Sequence, residues 1–471
     1  MATRVIADLP EYQEWYSTQS FKKLSKNQES TLDDAIRRKI QNEFNLFKGM
    51  DVNEYTLWHK YKEIHEWLPS QSDGEIQRVK RQIWKPKGAS DFRRIDPELV
   101  YVRPEYAIER TNIWGEKRVS NLKNNEPFQK HWEIIRTLVS SARNDGVIGR
   151  SLRFLVRDKK SKTYLGVICI SSEMPLIKAR NDAIGWDINK HFTSGGKIEN
   201  LANGQTIVPT QPFGTAFLGG KLLALLCLSD VVANTWQEMY GKKLIGVGTT
   251  SLYGDKEGGS QYDNLSPYWT TLDGFTSGNT PYKLSDEFFF PMREWMKVRY
   301  PEHYWVHFEE KKPDGQLKLR DNKNKALTFC YRKLGFKPNE YNSGHQRGAH
   351  FSRLYINTDA YLRDEIEESQ LEPAFDNSIE ALTEFWRYGS MGDTTQPTQE
   401  MLDKVKPKRL AQKIEMKGQV KGRIDAKIKR AKDGNYKSKI PTEGHAVDWY
   451  EELGTMTWDQ AKEKFGKQVG R

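Results

Sequence analysis

Two aspartates flank a short turn that also contains a tryptophan. Asp182 and Asp187 lie on either side of Ile184-Gly-Trp. A carboxyl group beside an indole ring is partly shielded from water, which raises its pKa, and such a carboxylate can act as a general base. A solvated or helix-capping aspartate is the structural alternative. We therefore take both residues as candidate proton acceptors.

A glycine-containing stretch joins a predicted strand at Ile207-Val-Pro to a long apolar segment. Amide groups at the start of a helix lack intrahelical partners, and glycine lets a phosphate approach them. A Walker motif is excluded, because the second glycine of the pattern is not followed directly by Lys and then Ser or Thr. A tight turn that packs the helix on its sheet is the alternative. The pattern predicts a pyrophosphate or pantetheine site at Gly214, Gly219, Gly220, Lys221 and Leu222.

Two tyrosines follow a predicted strand at Leu244–Val247: Tyr253 and Tyr262. Ligands of α/β proteins commonly bind beyond the carboxyl ends of strands, and aromatic rings there can stack on an extruded base. No metal is predicted. Three residues with strand-like spacing offer metal-ligating side chains, but no fourth ligand accompanies them. They are His303, His307 and Glu309.

Positive charge is concentrated in one segment. The chain of 471 residues has a formal net charge of +11, and residues 401–440 contain 14 Lys and Arg against 4 Asp and Glu. A segment with so little apolar surface suits a polyanion, and neutralised phosphates release counterions. A solvated helical linker is the alternative. The residues we expect to bind nucleic acid are Lys408, Arg409, Lys421, Arg423, Lys427, Lys429 and Arg430.

Composition excludes several classes of protein. A hydrophobic fraction of 37% and an aromatic fraction of 12% are too high for a wholly disordered chain. The longest apolar run, Leu222–Leu228, is far too short to cross a bilayer, and the first residues do not resemble a secretion signal. Three cysteines stand far apart, each in an apolar run, which predicts buried thiols. We expect a cytoplasmic protein that does not bind membranes.

The order of predicted elements indicates an α/β protein with added helical parts. A helix is predicted from Thr31, a β-hairpin near 152–170, and a single helix over Leu222–Met239 that ends before Gly241. The expected domains are a helical N-terminal domain, an α/β core with an insertion at about 250–320, a helical connector, a basic arm and a small helical module. Their ranges are 1–149, 150–360, 361–400, 401–440 and 441–471.

A second amphipathic helix carries a recognisable pattern. Lys325–Leu334 precedes Gly335, and Phe336 is predicted to start a strand. The spacing Tyr331-x-x-x-Gly-Phe resembles the late helix-to-strand segment of the GNAT acetyltransferase superfamily. The resemblance implies a GNAT-like mixed sheet, an acyl-CoA or related donor at the glycine loop, and Tyr331 as the acid that protonates the departing thiolate.

A closer resemblance covers roughly residues 150–285. Its markers are Tyr164–Ser172, Arg180–Asp187, Phe217–Leu226, and Tyr253-Gly followed by Tyr262, Trp269 and Gly274–Gly278. Their order resembles the DruA-like family of anti-phage islands, phages and mobile elements. This implies a DNA-linked role beside protein partners of a phage or defence system. The acetyltransferase-like plan is also similar to the phage Mom proteins, which modify adenine in DNA.

Two functions account for the basic arm, whereas a third, an acetyltransferase that acts on small molecules or proteins, leaves it unexplained. The first is a GNAT-like transferase that modifies DNA bases, with Tyr331 as acid and Asp187 or Asp182 as base. The second is a non-catalytic nucleic-acid-binding component of a defence or mobile-element complex. In that case the glycine loop would bind backbone phosphate, and the aromatic rings would grip bases or partners.

Overall fold

The structure is a computed structural model of the whole chain, and it describes most of the residues before 389 and a short segment near the C-terminus. The described residues are 5–21, 23–86, 89–102, 109–111, 117–119, 126–140, 149–187, 196–251, 260–276, 282, 284, 286–311, 322–342, 346–388 and 452–465.

Sixteen α-helices are named here in chain order. They are α1 (Pro10–Ser17), α2 (Lys26–Lys48), α3 (Val52–Trp67), α4 (Asp73–Arg81), α5 (Glu126–Val139), α6 (Lys178–Ile184), α7 (Phe213–Phe217), α8 (Gly219–Leu226), α9 (Asp230–Tyr240), α10 (Asp286–Arg299), α11 (Pro301–Phe308), α12 (Asn322–Lys333), α13 (Pro338–Tyr341), α14 (Thr358–Leu362), α15 (Ile379–Tyr388) and α16 (Trp458–Phe465). Within the described residues, no helix is long and apolar enough to cross a membrane.

Nine strands lie within the part of the chain that the structure describes. They are β1 (Pro97–Val102), β2 (Glu109–Thr111), β3 (Lys117–Val119), β4 (Ser151–Asp158), β5 (Tyr164–Ser172), β6 (Leu201–Pro209), β7 (Gly246–Ser251), β8 (Thr270–Phe275) and β9 (Gly348–Arg353). Seven of them form one mixed sheet in the order β1-β4-β5-β6-β7-β9-β8, and β2 pairs with β3 separately. The α/β class predicted from the sequence is confirmed.

One half of the sheet is built on the predicted hairpin. β4 and β5 pair antiparallel, and β5 is buried along nearly its whole length, as its run of branched apolar residues requires. β1 pairs antiparallel with β4, from Pro97 opposite Asp158 to Val102 opposite Arg153. A sheet strand therefore lies inside the stretch that was expected to be a helical N-terminal domain.

Contacts divide the chain into two compact units at other points than the expected boundaries. The helical unit consists of residues 1–55 and 277–346, and the sheet unit consists of residues 56–276 and 347–471. The expected insertion at about 250–320 overlaps the second stretch of the helical unit only in part. Each unit has buried apolar side chains of its own.

The helical unit differs from the sequence prediction at two places. α2 begins at Lys26 rather than at Thr31, because Ser25 and Gln28 form a reciprocal capping box one turn earlier. Gly335 ends α12 with φ of 78°, as predicted, but Phe336 does not start a strand. Its ring is buried against Phe44 of α2, and the short helix α13 follows it. The prediction of a strand there was wrong.

In the sheet unit, the segment after β6 forms three helices in place of the single helix predicted from Leu222. α7 precedes α8, which ends at Leu226, and Ser229 then caps α9 by accepting a hydrogen bond from the amide of Val232. The predicted end of this segment is confirmed, since Gly241 takes φ of 63°. α8 is buried along its whole length.

The described C-terminal segment is part of the core of the sheet unit. Leu453, Ala461 and Phe465 are buried in the same cluster as Ile64 of α3 and Trp132 of α5. Thr457 caps α16, because its hydroxyl accepts from the amide of Gln460. Residues 401–440, the predicted basic arm, lie outside the described residues.

Candidate functional site

The parallel pair in the sheet separates after three residues. β6 and β7 are paired only from Leu201 opposite Gly246 to Asn203 opposite Gly248. Beyond that point β6 stays with β5, and β7 stays with β9. Edge groups that face such a gap need partners other than the neighbouring strand. The gap is therefore where a ligand or another part of the chain must satisfy the backbone.

Residues just before β8 supply partners on both sides of this gap. The side-chain amide of Gln261 donates to the carbonyl oxygen of Ile207 on β6, at 3.0 Å, and to the hydroxyl of Tyr262, at 3.0 Å. Tyr262 is buried, and burial raises its pKa to about 12, although hydrogen bonds to Thr249 of β7 and to Gln261 oppose this. Tyr262 therefore does not present an exposed face for stacking on a base.

His350 lies at the centre of a ring of polar contacts on one face of the sheet. On β9 it stands opposite Thr249 of β7 and Thr271 of β8. Its Nδ1 is 3.1 Å from the Thr271 hydroxyl, and its Nε2 is 3.4 Å from the Ser260 hydroxyl. Both hydroxyls also reach Oδ1 of Asp263, at 3.2 Å from Ser260 and 3.3 Å from Thr271.

The environment of His350 favours its neutral form. His350 is 1% exposed, and burial lowers the pKa of its imidazole, whereas Asp263 opposes this by stabilising the imidazolium. Asp263 is itself held by the amide of Ser260, and its carbonyl oxygen accepts from the ammonium group of Lys221. The polar contacts around His350 thus include groups that can accept or donate a proton near neutral pH.

A small cavity adjoins this ring. It is lined by Glu173, Met174, Ile177, Arg180, Asn203, Gly248, Thr249, Thr250 and His350. Glu173 and Arg180 form an ion pair of 3.0 Å in which both side chains are 2% exposed. Burial raises the pKa of Glu173, against the opposing effects of Arg180 and of the Met174 and Gly248 backbone. Buried polar groups of this kind are common in functional sites.

The glycines of the predicted phosphate site are in contact with the protein itself. Gly219, Gly220, Lys221 and Leu222 are buried at the start of α8, and Gly214 lies in α7. A Cβ atom at Gly219 would meet the Phe213 ring, and one at Gly220 would meet the Gln261 side chain. These glycines let side chains approach the helix closely, which agrees with the alternative of a packed turn.

Tyr331 belongs to the helical unit, whereas the glycines belong to the sheet unit. Its side chain is fully buried, and its hydroxyl donates to the carbonyl oxygen of Tyr282 at 3.1 Å. Burial raises its pKa well above the ordinary value, with a further contribution from Glu43. Phe44 and Tyr341 pack against its ring. In this arrangement Tyr331 is a core residue with a satisfied hydroxyl.

The two candidate aspartates are exposed. Asp182 forms an ion pair with Lys178 one turn earlier on α6, and its side chain is 61% exposed. Asp187 follows that helix on the surface. Trp186 packs instead against the guanidinium of Arg180, 5.7 Å from its ring centre. The expected shielding of an aspartate by this indole is absent from the described structure.

Of the remaining residues singled out from the sequence, some lie on a helix and the others lie outside the described residues. His303 and His307 lie on α11, so their spacing is helical, and no group of three metal-ligating side chains occurs within the residues that the structure describes. Tyr253 lies outside the described residues. So do all seven basic residues expected to bind nucleic acid: Lys408, Arg409, Lys421, Arg423, Lys427, Lys429 and Arg430.

Comparison with known proteins places the chain in a family. The family model described as Druantia protein DruA matches residues 116–364, more than half of the chain. The chain therefore belongs to the DruA family. It is similar to the Druantia protein DruA of Escherichia coli strain UMEA 4076-1, with 27% identity over 234 residues, or 46% of this chain. The match spans 54% of that relative, about half its length. No solved structure matches.

Sequence reasoning missed the residues that the sheet unit brings together. Glu173 and Arg180 both stand within or beside the family markers, but neither was considered for chemistry. His350 follows Gly348-Ala in the chain, and it was not among the candidate residues either. The burial of β9 around His350 is seen only in the structure, and it matters because a buried histidine needs polar partners.

Proposed function

We propose that this protein acts on DNA as a group-transfer enzyme in anti-phage defence, with its reactive site in the sheet unit. The supporting observation is the separated parallel pair β6–β7, next to which lie a buried histidine, a buried glutamate and a buried arginine. A mixed sheet of this kind agrees with the GNAT-like plan that the sequence resembles. Membership of the DruA family, which is associated with anti-phage defence, supports the setting.

Nucleic acid is the proposed substrate because of the charge distribution. Residues 401–440 contain nearly the whole positive excess of the chain, and a polyanion is the partner that such a segment suits. α15 and α16 flank this segment, and both pack in the sheet unit, which also contains the proposed site. DNA bound by the segment would thereby be held to the unit that contains Glu173, Arg180 and His350, which we call the polar cluster.

The donor is not assigned to the start of α8. The groups that would cradle its phosphates are covered by Phe213 and Gln261, and the Lys221 ammonium is bonded to the Asp263 carbonyl. These residues do not fit the phosphates of an acyl-CoA in the described arrangement. We therefore derive no step through such a donor.

Tyr331, Asp182 and Asp187 receive no chemical role in this proposal. The hydroxyl proton of Tyr331 is already donated to a backbone carbonyl, and both aspartates are exposed. Glu173, Arg180 and His350 replace them, because these side chains are withdrawn from water around one cavity. Low solvent exposure strengthens their electrostatic effects on a reacting group.

Nucleoside mass spectrometry of DNA from cells that express the protein with its neighbouring defence genes tests this function. The wild type should give a nucleoside of new mass, Glu173→Gln should remove it, and Tyr331→Phe should retain it. The Lys178→Gln variant, changed on the exposed side of α6, is the control. An unchanged nucleoside profile for a folded, DNA-bound wild type would contradict the transferase proposal.

The basic segment, residues 401–440, also favours a second function. A non-catalytic nucleic-acid-binding component would need the basic residues of 401–440 but not the polar cluster. Phage plating then separates the two functions. Replacement of the basic residues should abolish protection in both cases, whereas Glu173→Gln should abolish it only for an enzyme.

A further inference from the structure

The contacts of His350 form a closed ring in which every proton can be counted. Ser260 and Thr271 each contribute one hydroxyl proton, and both hydroxyls reach the same carboxylate oxygen of Asp263. When both donate to Asp263, each imidazole nitrogen must donate to a hydroxyl oxygen, so His350 is then an imidazolium. When His350 is neutral, one hydroxyl turns its proton to the free nitrogen.

The ring therefore accommodates both protonation states without moving any heavy atom. A buried histidine with a purely structural role needs only one fixed tautomer. Here the change of state requires the rotation of a single hydroxyl, and the charge that appears on the imidazole is balanced by Asp263. Such an arrangement lowers the cost of gaining and losing a proton inside the sheet.

One member of the ring reaches solvent. Thr271 lies on β8, the edge strand of the sheet, and it is exposed, while His350 and Ser260 are buried. The Thr271 hydroxyl is thus a connection between the buried imidazole and the surface of the edge strand. A proton that arrives at Thr271 from outside can be exchanged for the one that Thr271 passes to Nδ1.

We propose that His350 is the proton acceptor of the site and that Thr271 relays the proton from a substrate N–H or O–H group at the exposed side of β8. The substrate group gives its proton to Thr271 Oγ1 as the Thr271 proton moves to His350 Nδ1. Thr271 is unchanged, His350 becomes an imidazolium, and the substrate atom keeps the electron pair of the bond to the proton that it has lost. Asp263 and Ser260 are positioning residues.

This inference rests on the proposed function, and it specifies the substrate group as a nucleophile with an exchangeable proton, such as a base amine. Charged and titratable groups around His350 are Asp263 and Tyr262 before β8, Glu173 after β5 and Arg180 on α6. Asp263 favours the imidazolium, so its replacement by Asn should lower the pKa of His350.

The first arm of the test is a histidine NMR titration of the full chain labelled with ¹³C in its imidazole rings. His350→Gln identifies the His350 resonance. We expect that resonance to titrate with a midpoint below that of an ordinary histidine, because burial lowers the pKa of His350, and we expect Asp263→Asn to move the midpoint to still lower pH. A His350 resonance that stays fixed from pH 5 to 9 would overturn the proposal, whatever the activity of the protein.

The second arm measures DNA modification and phage plating for matched variants. General acid–base groups typically contribute about 10²–10⁴-fold to a rate, so His350→Gln should lower the signal at least ~100-fold. Thr271→Val should lower it and Thr271→Ser should retain it, because only serine keeps the hydroxyl. Thr270→Val, one residue earlier on β8, and His131→Gln, at another buried histidine, are the controls.

The outcomes separate the two proposals. Equal activity of Thr271→Val and Thr271→Ser would overturn the relay while the proposed function stands. Loss of protection in His350→Gln, with unchanged thermal stability and no new nucleoside in the wild type, would support proton transfer but contradict DNA modification. If His350→Gln lowers the thermal stability and Thr271→Val does not, the comparison of Thr271→Val with Thr271→Ser alone decides whether the relay stands.

Discussion

Glu63 neutralises two buried cations at once. It accepts hydrogen bonds from Lys60, at 3.0 Å, and from Arg136, and both cations are almost fully buried. Burial opposes the ionisation of Glu63, but the two cations outweigh it and hold its pKa below the ordinary value. Burial lowers the pKa of Lys60 to about 8. The buried charges of Lys60 and Arg136 are therefore stabilised by the carboxylate that they share.

Replacing Glu63 by Gln should therefore be strongly destabilising. The change removes the carboxylate that both buried cations share, and the loss of one partner from a buried ion pair costs about 3–5 kcal/mol. Chemical denaturation of the two proteins measures the difference. Glu133→Gln is the control, since its pair with Arg153 is partly exposed and should be worth less than about 1 kcal/mol. Equal losses for both variants would contradict the prediction.

Gly248 leaves room for the buried carboxylate of the cavity. A Cβ atom there would collide with Oε2 of Glu173. Gly248→Ala should thus displace Glu173 from Arg180 and cost about 1–3 kcal/mol, the usual range for overpacking. Thermal unfolding checks this. Gly74→Ala in α4, where a Cβ meets only the Ser72 hydroxyl at 3.7 Å, should be neutral or slightly stabilising.

At the scale of elements, the sequence predicted those features that depend on residues close together in the chain. Alternating apolar residues and a polar turn predicted the β4–β5 hairpin, and Gly241 and Gly335 ended their helices as expected. The break between α8 and α9 was not visible, because apolar residues continue through Cys227 and Leu228 and only Ser229 marks it. Phe336 was assigned to a strand, but packing on Phe44 determines its place.

The candidate site was beyond prediction for a related reason. Ser260 and His350 are ninety residues apart, and only strand pairing brings Thr271, on β8, opposite His350. No spacing in the sequence encodes that register. The ion pair of Glu173 and Arg180 was closer to prediction, because both residues lie in or beside conspicuous segments. What could not be foreseen was their burial.

α16 should be essential to the stability of the sheet unit. Phe465 is 2% exposed and belongs to the cluster of α3 and α5. Phe465→Ala should cost about 3–5 kcal/mol through lost burial and a cavity. Urea denaturation compares it with Lys462→Ala, an exposed change on the same helix that should cost little. A loss of less than about 1 kcal/mol would mean that α16 is not docked as described.

At the scale of the whole molecule, charge and packing lie in different parts of the chain. The positive excess is in 401–440, and the buried clusters of the sheet unit are formed by residues on both sides of that segment. The same separation explains why composition predicts a class of partner, which stays a prediction here, but does not predict a reaction. Long-range attraction depends on net charge, whereas chemistry depends on a few buried contacts.

DNA binding should be strongly salt-dependent. Each phosphate contact contributes about −0.9 to the slope of log K against log salt concentration for duplex DNA. Replacing Lys427, Lys429 and Arg430 by Gln should make the slope less negative, by up to about 2.7 if all three contact phosphate. Fluorescence anisotropy at several salt concentrations measures it. Replacement of three cations elsewhere, at Lys159, Lys160 and Lys162, provides the control, and an identical slope for both triple variants would contradict the prediction.

Both ends of the segment 389–451 are anchored in the sheet unit. Before it, the indole of Trp386 on α15 donates to the Leu218 carbonyl at 3.2 Å. After it, the Tyr61 hydroxyl on α3 donates to the Met456 carbonyl at 3.1 Å, and Trp58 packs on Trp458. A single cut at a protease site engineered into 401–440 should then yield two polypeptides that migrate separately on a denaturing gel but elute as one particle. We expect residues 452–465 to stay bound through their noncovalent contacts after the covalent link has been cut.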